Sequence, residues 1–155
     1  PSRPGWHKRP LFPLSQAASQ ADAALSKAKE HRNQVCVFDT VLNWPDLEIA
    51  LDDAIFLDRI MAEGGADGIE VKKSFVYRLI RYCQMEEESR SGKLKSLLWR
   101  SHLCYDMARN VKIHDRNNGK PPGLERLEKM TALTKDPGEM ARLKVAVTYC
   151  LYLNR

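Results

Sequence analysis

A chain of 155 residues is long enough to bury about 70% of the surface its unfolded form exposes, so it needs neither disulfides nor a structural metal to hold together. Cys36, Cys83, Cys104 and Cys150 are widely spaced and form no C-x-x-C pair. They exclude a disulfide framework and read as reduced thiols of a cytoplasmic protein, three of them at helical core positions. The net charge of +5 is unevenly spread: residues 46–71 carry one basic and eight acidic side chains, residues 72–155 eighteen and nine. That asymmetry suggests a basic surface for an anionic partner, beside an acidic helix that such a partner would repel.

Residues 1–13 hold four of the eight prolines and read as a connecting segment. No signal peptide precedes the first helix, no apolar run reaches the length of a membrane span, and the chain opens on Pro1, which suggests a piece of something longer. From Leu14 to His31, Leu14, Ala17, Ala18, Ala21, Leu25 and Ala28 recur on one helical face, whose small alanines suit close packing on a sheet. Gln34 to Phe38 and Thr40 to Trp44 follow as short β-rich runs, too few to make a stable sheet by themselves.

Pro45 fits a first helical position, with Asp46 and Glu48 in the first turn. The helix is expected to run to about Ala62, with Leu47, Leu51, Ala54, Ile55 and Met61 as core and Asp52, Asp53 and Asp58 as solvent-facing charge. After a glycine-rich turn, Phe75, Val76, Leu79, Ile80 and Cys83 form the apolar face of a helix reaching Glu88. Tyr77 and Tyr82 stand among its basic residues, an arrangement that suits RNA and equally suits half-buried packing.

Lys93 to Lys112 contains no proline or glycine and reads as one long helix. Leu94, Leu97, Leu98, Ser101, Tyr105, Ala108 and Val111 form its main stripe, and Leu103, Cys104 and Met107 a second strip. Being apolar on more than one side, it is expected to be the central helix of a bundle. A loop over 114–123, a short helix marked by Leu124, Leu127, Met130 and Leu133, and a last helix capped by Asp136-Pro137 complete the chain.

The candidates for phosphate contact are Lys72, Lys73, Arg78, Arg81, Arg109, Lys112, Arg116 and Lys120, drawn from helix ends and loops of the basic half. Arg109 and Lys112 stand out as three apart on one rigid helix. No catalytic, cofactor-binding or metal-ligating set is evident. The fold expected is mainly α: a bundle of about five helices over 45–155, preceded over 1–44 by a helix-strand remnant of another domain.

Four segments in order, RPLFPLSQAASQADAALSKAK with the β-run and VLNW after it, KKSFVYRLIRYCQM and LLWRSHLCYDMARN, resemble the C-terminal end of the large subunit of type III-A CRISPR-Cas interference complexes, the Csm branch of the "Cas ten" family. The resemblance implies that 1–44 ends a ferredoxin-like palm domain related to nucleotide cyclases and polymerases. It implies that 45–155 is the helical C-terminal domain, similar to the complex's small subunit. The expected partners are the other Csm subunits, the small subunit above all, with guide RNA and target RNA, and no membrane.

The parent would carry an HD nuclease for single-stranded DNA, and a Gly-Gly-Asp-Asp hairpin binding divalent metal and ATP for cyclic oligoadenylate synthesis. Neither motif occurs in these 155 residues. Gly64-Gly65-Ala66-Asp67 follows a helix instead of joining two strands, so the chain is expected to be a non-catalytic part without cofactor. The alternative reading is an independent helix-turn-helix DNA-binding module turning at Arg90-Ser91-Gly92.

Overall fold

The computed structural model describes residues 14–30, 33–114, 119–131 and 137–154. The described residues form six α-helices and two separate two-stranded antiparallel sheets. The proline-rich 1–13, Arg116, Leu133 and the Asp136 cap lie outside them.

Helix α1 (Leu14–Lys29) leads to β1 (Gln34–Val37) and β2 (Thr40–Asn43), a hairpin in which Val35 faces Leu42 and Cys36 faces Val41. Helix α1 packs on β1 and buries none of its own residues. Strand β2 instead delivers Leu42 to the main core, against α6 and α2. Asn43 then caps α2 (Trp44–Met61), its Oδ1 accepting the Asp46 amide at 2.7 Å, with Pro45 in the first turn where no backbone donor is needed. Ala50, Ala54, Phe56, Leu57 and Ile60 are buried on α2, whereas Ile55 of the expected core is exposed and Leu47, Leu51 and Met61 are partly covered. The burial of Phe56 and Ile60 turns the buried stripe away from Ile55.

The glycine-rich turn is structural. Gly65 sits at φ 65°, and a Cβ there would lie 2.1 Å from the Ile69 carbonyl oxygen, so only glycine lets this backbone fold back on itself. Paired bonds between Ala66 and Ile69, 3.0 Å each way, close the turn. It opens into β3 (Ile69–Val71). Helix α3 (Lys73–Arg90) follows, burying Phe75, Val76, Leu79, Tyr82 and Cys83.

The stretch expected as one helix is three elements. A 3₁₀ turn (Leu94–Leu98), α4 (Trp99–Asn110) and β4 (Val111–Ile113) divide it, and β4 pairs antiparallel with β3. Glu88 accounts for the first break: its carbonyl accepts the Lys93 amide, and its Oε2 accepts Ser96 Oγ at 2.8 Å, tightening the chain into the 3₁₀ turn. At the other end Asn110 Nδ2 donates back to the Asp106 carbonyl at 2.8 Å, and the β-branched Val111 and Ile113 pair with Val71 and Ile69.

Nor is this stretch central. Trp99 and Leu103 are the buried residues of α4, with Met107 packed against the core beside them, so the fold buries the second apolar strip and leaves the first outside. Cys104, expected among the core thiols, is exposed with it. The central position belongs to α6 (Pro137–Leu153), which follows α5 (Pro122–Thr131). Met140, Leu143, Val145, Ala146, Val147, Cys150 and Leu151 are buried around α6, against α2, α3, α5 and β2. An apolar sequence without a polar face is what a surrounded helix requires.

Candidate nucleic-acid and partner interface

Much of the positive charge of the second half is spent inside the molecule. Arg142 reaches Asp46 at 3.1 Å, and Arg126 reaches Asp53 at 2.9 Å while lying 4.6 Å over the Phe56 ring. The acidic helix α2 therefore takes counter-ions from α5 and α6, and Asp53, expected in solvent, is one of a pair. Asp58 also has a partner, accepting Asn154 Nδ2 at 2.6 Å.

The eight candidate residues separate accordingly. Lys112 is on β4, not on a helix with Arg109, and lies directly across the sheet from Glu70, 2.8 Å away. That ion pair, with His114 on its other side, holds the Glu70 carboxyl below the usual carboxylate range. Lys120 pairs with Glu128, and Lys73 donates to the Asn154 carbonyl at 2.6 Å, at the end of α6. Arg78 Nε lies 2.5 Å from Asp106 Oδ2 at an angle too bent for a hydrogen bond, so the contact is one of charge.

Asp106 also accepts the Tyr82 hydroxyl, which locks α3 to α4. Burial, with that hydrogen bond in addition, pushes the Tyr82 phenol up to about 12. Arg116 lies outside the described residues. Of the eight this leaves Lys72, Arg81 and Arg109 without a carboxylate partner, Arg109 Nη1 donating to Tyr105 Oη at 3.0 Å.

The contacts of Arg78 with Asp106 and of Glu88 with Ser96 show that α3 and α4 run antiparallel, with the 3₁₀ turn at one end and the β3–β4 sheet at the other. Lys72 and Arg109 therefore sit at the sheet end. Arg81 opens midway onto a cleft of about 410 Å³ that Lys95 and His102 also line. Lys95 and His102 were not among the sequence candidates. Both lie in the stretch expected to be a single core helix, and nothing in its pattern marks the 3₁₀ turn that presents Lys95.

Beside the cleft lies an apolar surface. Leu94 is 79% exposed, Leu97 57%, Leu98 58% and Tyr105 61%. Ser101, Cys104 and Ala108 are exposed with them. The stripe is edged by Lys95, Arg100 and Arg109, Arg100 lying 5.4 Å over the Trp99 ring. Large side chains this exposed and this contiguous on one segment mark a surface that meets another molecule.

Among the described residues no group of three His, Cys, Asp or Glu side chains is placed to hold a metal, and no helix is long and apolar enough to cross a membrane. Comparison with protein-family models, with curated proteins and with solved structures gives no match.

Proposed function

We propose that this chain is the assembly and RNA-proximal portion of the large subunit of a type III-A CRISPR RNA-guided interference complex. In this reading it works in the cytoplasm beside the complex's small subunit, with guide and target RNA as neighbours. Residues 14–44 are the end of the parent's palm domain and residues 45–155 its helical C-terminal domain. The nuclease and the cyclic oligoadenylate synthase belong to other parts of the parent. The observation that carries the assembly role is the uncovered stripe of Leu94, Leu97, Leu98 and Tyr105.

Charge decides what covers the stripe. A second copy would set Lys95, Arg100 and Arg109 against themselves, whereas a helical subunit with an apolar ridge and acidic edges would complement them. Helix α1 adds support, because an apolar face with no buried residue is the state expected of a helix whose sheet is supplied by another segment. The helix-turn-helix alternative fares worse: a reading helix presents bases to DNA, and α4 presents leucines and a tyrosine.

The test is Leu97→Asp/Leu98→Asp, assayed for binding to a purified type III-A small subunit. Both sites are exposed, so the variant should keep its circular dichroism and melting temperature while losing the subunit. Undiminished binding would reject the stripe as the docking surface.

A further inference from the structure

We propose that the cleft between α3 and the 3₁₀ turn with α4 is a phosphate-binding site, with Arg81 and Lys95 as its charged anchors and His102 and Gln84 as further polar contacts. It deepens the RNA-proximal reading, on which its RNA arm rests. The phosphate comes either from a single-stranded RNA backbone or from a free nucleotide.

The argument begins with charge that the fold leaves uncompensated. Most cations that β3, α3 and α5 place near carboxylates are paired with them, yet Arg81 and Lys95 have no carboxylate within 4.0 Å and open on the same concavity. The acid in that wall, Glu88, is already engaged. Lys93 Nζ is 3.0 Å from its Oε1, and Ser96 Oγ donates to its Oε2 at 2.8 Å. These two contacts, the Ser96 bond first, hold its carboxyl below the usual range, so it stays an anion committed to its own neighbours.

Two like charges facing one recess repel each other and raise its potential, and walls of low dielectric concentrate that field. An external anion relieves both. The guanidinium of Arg81 offers a planar fork matched to two phosphate oxygens, and Lys95 a compact charge for a third. A volume of about 410 Å³ holds one phosphate with its sugar and excludes a duplex. Met85 lines the same cleft and gives a ribose or base an apolar contact.

The experiment uses the 155-residue chain and its Arg81→Ala/Lys95→Ala variant, both positions exposed, with Arg109→Ala as a basic control outside the cleft. Each protein is titrated with a five-nucleotide single-stranded RNA, with ATP and with inorganic phosphate across a salt series, following the His102 ring signals by NMR. The double variant should bind at least about tenfold more weakly, with a salt slope flatter by about 1.4 for RNA, two contacts at about 0.7 each. The control should keep its affinity for the cleft ligand.

RNA bound and then lost in the double variant, without ATP or phosphate binding, identifies the backbone as the source. ATP or phosphate bound and lost without RNA upholds the site and overturns the RNA-proximal reading. RNA bound equally by parent and double variant, or displaced only by Arg109→Ala, overturns the site and leaves that reading standing. Absence of any phosphate ligand, or a cleft taken only by an acidic peptide, overturns the site.

Discussion

Helices α6 and α4 carry similar apolar content and meet opposite fates. Around α6, side chains from Met140 to Leu151 are enclosed by α2, α3, α5 and β2, whereas α4 buries Trp99 and Leu103 and leaves Leu97, Leu98 and Tyr105 in solvent. Periodicity identifies a face that avoids water; it does not say whether the same chain supplies the cover. Where two apolar strips compete on one helix, the strip carrying the bulkier anchor was taken inward here, Trp99 being 4% exposed. The remaining strip is then available to another molecule.

The contrast predicts a large difference in stability. Leu57→Ala, in the fully enclosed α2–α6 contact, should cost about 2–5 kcal/mol in urea unfolding. Leu97→Ala should stay within about 0.5 kcal/mol, since a side chain already in water loses little. Equal losses would mean that α4 is covered within the chain after all.

A medium effect tests how α4 is fastened. Tyr82→Phe removes the hydroxyl that reaches Asp106 across the α3–α4 interface and should cost about 1 kcal/mol. Alkaline pH probes the same region together with α6. Burial holds the Cys83 and Cys150 thiols near 12 against an ordinary 9.0, and Tyr82 near 12 against 10.0. All three fold as neutral groups and ionise more readily once unfolded. Their contribution is therefore complete below pH 9 and is lost as pH rises towards 12. Melting temperatures measured over that range should fall, and Cys150→Ala with Tyr82→Phe should flatten the decline. An unchanged slope would show that other groups drive it.

The smallest effect belongs to the exposed cross-strand pair. Lys112→Ala should cost about 0.2–1 kcal/mol, and about 0.5 M salt should erase most of the difference from the parent. A larger cost would make this pair a principal fastening of α4.

Much of the architecture could be read from residues in order. The Pro45 start, the two β-runs at Gln34 and Thr40, the apolar face of α3 and the glycine-rich stop all appear where local chemistry puts them. The β3–β4 pair was also legible, though only by matching distant tripeptides: Ile69-Glu70-Val71 and Val111-Lys112-Ile113 are apolar-charged-apolar with opposite charges at the centre. Read locally, the second tripeptide merely prolongs a helix.

The site was less legible for a different reason. A formal count of basic residues ignores what they are paired with, and Arg126, Arg142 and Lys112 face carboxylates that lie 42 to 96 positions away. Only tertiary structure reveals which cations remain. Arg81 was visible as a candidate, whereas Lys95 becomes one through a turn set by Glu88 and Ser96.

The small β3–β4 sheet has a consequence for the order in which the molecule forms. It ties positions 42 apart, and closing a loop of that length first would sacrifice considerable chain freedom. Once α3 and α4 have folded against each other from the 3₁₀ turn outward, the two strands are already neighbours and the clasp shuts at little further cost. Interactions made this late are absent from the rate-limiting barrier, so weakening them changes how fast the structure opens far more than how fast it forms. Stopped-flow measurements on a Val71→Ala/Val111→Ala pair should show unfolding accelerated and refolding nearly unchanged. In that sense the clasp acts as a latch on the lifetime of the surface that α4 presents.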